Sequence, residues 1–103
     1  MTDSQRKLSA AELAQAGLTG WRPAGETLTA TFRTRKFAIG LELVNRIGAS
    51  AEKANHHPDL TLTYPEVGVT LWSHDVGGIT SRDITLARTI SGHAADVGVS
   101  AED

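Results

Sequence analysis

The chain contains no cysteine, only three prolines, and few aromatic residues, 5% of the total. Without thiols it can form neither disulfides nor thiolate metal sites. No apolar run approaches the roughly 20 residues that a membrane-spanning helix needs. The opening MTDSQRK has neither the apolar stretch nor the small-residue cleavage site of a secretory signal. No membrane partner and a cytoplasmic location are therefore expected. The formal net charge is −2 with the signs mixed along the chain, so the broad basic field that nucleic-acid binding requires is missing and no nucleic-acid partner is expected. Arg33, Arg35 and Lys36 form a small basic cluster, which reads as a solvated turn rather than an anion site.

What remains is ordinary for a folded domain. With 103 residues, 40% of them hydrophobic and 21% charged, the chain can bury one core and is expected to be a single domain over 1–103. Ser9 followed three residues later by Glu12 matches a capping box, and "SAAELAQAGL" then runs into a glycine, which predicts a first helix over about residues 10 to 16. "WRPAGETLTATFRT" holds two short extended runs around Gly25, with Leu28, Ala30 and Phe32 alternating onto one face as a hairpin. From Phe37, a stripe of Leu41, Val44, Ile47 and Ala51 predicts a long amphipathic helix whose Gly40 and Gly48 allow close packing.

Asn55 is suited to end that helix, and Pro58 forces His57 out of helical geometry, so "HHP" marks a helix-to-strand junction. "LTLTY" then aligns Leu60, Leu62 and Tyr64, a turn falls at Pro65-Glu66, and "VGVTL" aligns Val67, Val69 and Leu71, giving a second hairpin. Gly77 and Gly78 break the strand. Thr80 with Asp83 predicts a last helix carried by Ile84, Ala87, Ile90 and Ala94. The order α-β-β-α-β-β-α has no parallel crossover, so the expected class is α+β: a four-stranded antiparallel sheet with three helices packed on one face. The ends, about 1–8 and 97–103, are expected to fray.

Strand parity sets Thr70, Trp72 and His74 on the face opposite Val67, Val69 and Leu71. The antiparallel return through the Pro65 turn brings His74 back toward His56 and His57, and Asp83 sits across the Gly77-Gly78 bend. Alone, each residue has an ordinary explanation: a polar helix end for His56 and His57, a strand-edge residue for His74, a capping carboxylate for Asp83, solvent exposure for His93, packing for Trp21 and Trp72. As a set they offer proton transfer, with Asp83 placed to orient an imidazole. Zinc is disfavoured because adjacent side chains of an extended His56-His57-Pro58 segment point to opposite sides. Nucleophilic catalysis is disfavoured because there is no cysteine and no serine lies in a nucleophile elbow.

The run Glu52-Lys-Ala-Asn-His56-His57-Pro58, then Tyr64, Val67 and Leu71, then His74-Asp-Val-Gly-Gly78-Ile-Thr80 and Asp83, resembles the pterin-4a-carbinolamine dehydratase family. The resemblance is dense from Glu52 to about Ala87 and implies the same α-β-β-α-β-β-α order. It further implies dehydration of a 4a-hydroxytetrahydropterin to a quinonoid dihydropterin, the recycling step after an aromatic amino acid hydroxylase, with no metal and no redox cofactor. His56, His57 and His74 are carried over as acid/base residues, His57 as the base and the other two aiding departure of the hydroxyl. Asp83 and Glu52 are carried over as supporting or substrate-binding carboxylates. A homo-oligomer, dimer or tetramer, is also implied, with the long helix as a candidate interface. One departure is Leu60, where the family commonly has tryptophan, which removes an aromatic face that Trp72 could replace in space. The competing reading is a non-catalytic assembly or dimerisation adaptor of the same family.

Overall fold

The computed structural model describes residues 3–102. After a short 3-10 turn at Asp3–Gln5 come α1 (Ala10–Gln15), β1 (Arg22–Ala24), β2 (Thr27–Arg33), α2 (Phe37–Ala54), β3 (Asp59–Leu62), β4 (Glu66–Leu71) and α3 (Ser81–Asp96). The predicted element order and the α+β class hold. The four strands form one antiparallel sheet in the order β1-β2-β4-β3.

Register decides which side chains meet. Leu28 pairs with Leu71, Ala30 with Val69 and Phe32 with Val67, and all six are buried, because directly opposed residues share a face of the sheet. Leu43, Ile47 and Ala51 of α2 and Ile84, Leu86, Ala87, Ile90 and Ala94 of α3 are buried with them. Trp21 meets Phe32 edge-on at 6.0 Å between ring centroids and donates its indole N–H to Ser91 Oγ at 2.9 Å. That bond satisfies the polar end of a buried aromatic ring.

Three details differ from the pattern reading. The buried line of α2 is Gly40, Leu43, Ile47 and Ala51, while Leu41 is 43% exposed and Val44 half-buried. Gly40 explains the rotation, since a Cβ there would lie 2.7 Å from Leu62 Cδ1. The helix therefore meets the sheet along its glycine and turns Leu41 outward. Gly48 has open space around it and is not a close-packing point. Tyr64 is 67% exposed, because β3 ends at Leu62 and Tyr64 falls in the turn closed by Thr63 N–H donating to Glu66 O at 3.0 Å.

Both helix starts read as capping boxes carry them. Ser9 Oγ accepts from Glu12 N–H and Glu12 accepts from Ser9 N–H. Arg6 and the Ser9 N–H hold the Glu12 carboxyl down at about 2. Thr80 and Asp83 form the second box, and such caps are worth about 0.5–2 kcal/mol each. In the two end segments, Leu8 N–H donates to Ile79 O at 2.7 Å and Glu102 N–H to Thr31 O at 2.8 Å. Residues 1, 2 and 103 lie outside the described residues.

Candidate active site

The site begins where α2 stops. Asn55 caps the helix in the left-handed region at φ 51 and ψ 44, a conformation asparagine tolerates better than most residues, and its N–H bonds back to Ala51 O and Glu52 O. The reversal there, with Pro58 forbidding a further helical turn, sends the two histidines to different partners. His56 turns toward α3, where its Nε2 lies 2.6 Å from Asp83 Oδ1, and its side chain is 12% exposed. His57 turns outward, its Nε2 2.5 Å from Glu52 Oε2, with the imidazole 52% exposed.

Asp83 is fully buried, so its oxygens must find donors within the protein. Oδ1 meets His56, while Oδ2 accepts from Ser73 Oγ and from Thr80 N–H, each at 2.9 Å. The Ser73 and Thr80 hydroxyls lie 2.8 Å apart. A carboxylate faced by His56 Nε2 places the N–H on that nitrogen and leaves Nδ1 as the atom free to exchange a proton. Asp83 therefore does both jobs weighed for it in the sequence: it is the capping carboxylate of α3 and it orients an imidazole. The imidazole is that of His56.

His74 stands on the loop after β4, which is pinned by Ser73 N–H donating to Gly78 O at 2.8 Å and by Gly77 N–H donating to Ser73 O at 2.9 Å. Its ring meets that of Trp72 edge-on, 4.3 Å between centroids. Next to it, Asp75 is held by Arg82 at 2.8 Å, and that guanidinium lowers its carboxyl below the usual range. The β3–β4 register pairs Asp59 with Thr70, and continued two residues outward it sets His57 opposite Trp72. The fold thus brings His56, His57, His74, Glu52 and Asp83 to one end of the sheet. Among the described residues no hydrogen bond joins the three imidazoles to one another, and no group of three or more His, Asp or Glu is arranged to hold a metal ion.

His93 departs from its expected exposure. It is half-buried, with Nε2 2.7 Å from Ser50 Oγ, because α3 packs along α2 and turns this position into the contact. Leu60 pairs with Val69 and packs against the core, so its side chain belongs to the inner face of the sheet, whereas Trp72 has the opposite parity and does not take its place. Pattern reading also missed Ser73. The signal was present, since Ser73 continues the inward parity of Val67, Val69 and Leu71, and a buried hydroxyl on a core face requires a partner.

A groove of about 470 Å³ runs between α2 and α3 and has His56 in its wall. A wider concavity of about 870 Å³ lies at the other end of α2, beside Arg33, Arg35 and Lys36. It is remote from the histidines by roughly the length of that helix, about 27 Å at 1.5 Å per residue, and its Arg33 is already paired with Glu102 at 2.5 Å.

Known proteins resemble this chain in sequence and fold. A provisionally named pterin-4-alpha-carbinolamine dehydratase of Thermosynechococcus vestitus is 47% identical over 76 residues, covering 74% of this chain and 80% of that protein. A relative from Afipia carboxidovorans with the same provisional name is 39% identical over 101 residues, 96% of each chain. The crystal structure of a transcriptional coactivator/pterin dehydratase from Brucella melitensis superposes with a TM-score of 0.82 at 31% identity, covering 86% of this chain and 99% of that one. Residues 6–93 match the profile of the family described as pterin 4 alpha carbinolamine dehydratase, and the chain belongs to that family.

Proposed function

We propose that the protein dehydrates a 4a-hydroxytetrahydropterin to the quinonoid dihydropterin by histidine general acid/base catalysis. The observation that carries this reading is the pairing of two neighbouring histidines with two carboxylates in unlike surroundings, His56 with buried Asp83 and His57 with exposed Glu52. The reaction breaks the C4a–O bond and forms the C4a=N5 bond. One proton goes to the departing oxygen, which leaves as water, and one leaves N5, so the step is redox-neutral and needs only an acid and a base.

His56, braced by Asp83, is the better-positioned acid for the leaving hydroxyl, with His74 assisting. His57, exposed and turned by Glu52, is the base for the N5 proton. Glu52 is then also available to the substrate. The product suits tetrahydropterin recycling after an aromatic amino acid hydroxylase in the cytoplasm. Chelator-treated protein assayed spectroscopically on freshly generated carbinolamine should exceed the spontaneous rate. Activity lost on chelation and restored only by zinc would overturn the mechanism.

A second reading rests on the Brucella relative, described as a coactivator as well as a dehydratase. In it the chain is an assembly adaptor working as a homo-oligomer. Phe37 and Leu41, 45% and 43% exposed and four residues apart on α2, are the self-association face in that reading. Absence of turnover together with loss of the oligomer in Leu41→Asp would favour it.

A further inference from the structure

The three imidazoles of the site are not held alike. His56 is oriented by Asp83 and His57 by Glu52, whereas among the described residues His74 makes no hydrogen bond or ion pair. Its ring contact is with Trp72, edge-on at 4.3 Å between centroids and 72° between planes. Strand parity carried past Leu71 turns Ser73 into the core and sets Trp72 and His74 on the opposite face; accordingly Ser73 is buried, Trp72 half-buried and His74 exposed. The backbone on either side of His74 is already fixed, since Ser73 N–H donates to Gly78 O at 2.8 Å and Asp75 is held by Arg82 at 2.8 Å. What stays open is the rotation of the side chain itself. An exposed histidine has three staggered wells about χ1 and a roughly two-fold torsion about χ2, or about six orientations. A ring packed edge-on against the imidazole selects among them.

We propose that Trp72 is a positioning residue for His74, holding that imidazole by ring contact as Asp83 holds the imidazole of His56 by a hydrogen bond. The inference rests on the dehydratase reading and adds to it the group that orients the third imidazole. The two modes of support differ in what they leave free. Asp83 engages one ring nitrogen of His56, whereas the indole engages neither nitrogen of His74, so both stay available to exchange a proton. The rate that His74 contributes then scales with the fraction of time its ring spends in the productive orientation.

The test pairs kinetics on the carbinolamine with a measurement that needs no turnover. In Trp72→Leu, kcat should fall by about threefold to sixfold with KM little changed, as the imidazole spreads over its rotamers. Trp72→Phe keeps an aromatic ring and should recover most of that loss. In a His74→Ala background, Trp72→Leu should cost nothing further, because the ring it orients is gone. An equal fall with and without His74, or a Trp72→Phe variant as slow as Trp72→Leu, overturns the positioning role and leaves the dehydratase reading intact. In proton NMR the two carbon-bound ring protons of His74 should be displaced by the indole ring current in the unaltered protein and return to exposed-histidine positions in Trp72→Leu. Absence of turnover in the unaltered protein overturns the dehydratase reading instead. The orienting contact is then decided by NMR alone: displaced resonances that relax in Trp72→Leu support it, and undisplaced ones remove it.

Discussion

His56 Nε2 and Asp83 Oδ1 stand 2.6 Å apart, tying the end of α2 to the first turn of α3. The contact is nearly closed to solvent, with side-chain exposures of 12% and 0%. A charge-assisted bond in such a place is stronger than one at the surface, and loss of either partner leaves the other uncompensated.

Asp83→Asn separates the capping role from the catalytic one. The amide keeps an oxygen for Thr80 N–H, so the cap should weaken by no more than about 0.5–1 kcal/mol. Its NH2 group, however, faces His56 Nε2 as a donor and forces the other tautomer. We expect kcat/KM to fall by more than about tenfold while the melting temperature moves little. Normal kinetics with a lowered melting temperature would remove Asp83 from the site.

His57→Ala and His74→Ala should each lower kcat/KM by at least roughly tenfold, since placed acid/base groups contribute about 10² to 10⁴. His93→Ala is the control. Its partner is Ser50, away from Asp83, so turnover should stay near the unaltered rate while thermal stability drops by about 1 kcal/mol for the lost bond. A His93 effect on turnover as large as the other two would contradict the placement of the site.

The elements were legible because their signals are local. Capping boxes at Ser9 and Thr80, the Asn55-to-Pro58 junction and the alternation of Val67, Val69 and Leu71 each depend on a few neighbouring residues. The face of α2 was not, because it is set by where Gly40 touches Leu62, a contact between distant segments that periodicity cannot weigh. The site divides in the same way. Sequence grouped the histidines, Glu52 and Asp83, yet which carboxylate serves which imidazole depends on the direction the chain takes after Asn55. His74 being exposed beside Trp72, rather than bonded to Asp83, follows from Ser73 taking the inward position.

Thr34 offers a stability prediction away from the site. Its residue is 1% exposed and its hydroxyl has no hydrogen-bond partner among the described residues. An isolated buried hydroxyl carries a desolvation cost of about 1–3 kcal/mol. Thr34→Val keeps the β-branched shape that suits this extended segment and removes that cost, so unfolding stability should rise by about 1 kcal/mol in urea titrations. A loss of stability would mean that the hydroxyl has a partner in solution.

Ser73→Ala tests whether the oxygens behind Asp83 act on catalysis or only on folding. Ser73 Oγ donates to Asp83 Oδ2 and lies against the Thr80 hydroxyl, so its removal leaves two buried oxygens with fewer partners and should cost about 1–3 kcal/mol of stability. That loss alone would fit a structural role. With one donor gone, though, the Asp83 carboxylate is held less firmly and fixes the His56 imidazole less well. Turnover should therefore fall by about threefold to tenfold, expressed in kcat with KM little changed. The kinetics are to be measured well below the variant's melting temperature, so that unfolding does not contribute. A destabilised variant with unchanged kcat would confine Ser73 to the fold, whereas a lowered kcat at constant KM makes it a positioning residue that reaches His56 through Asp83.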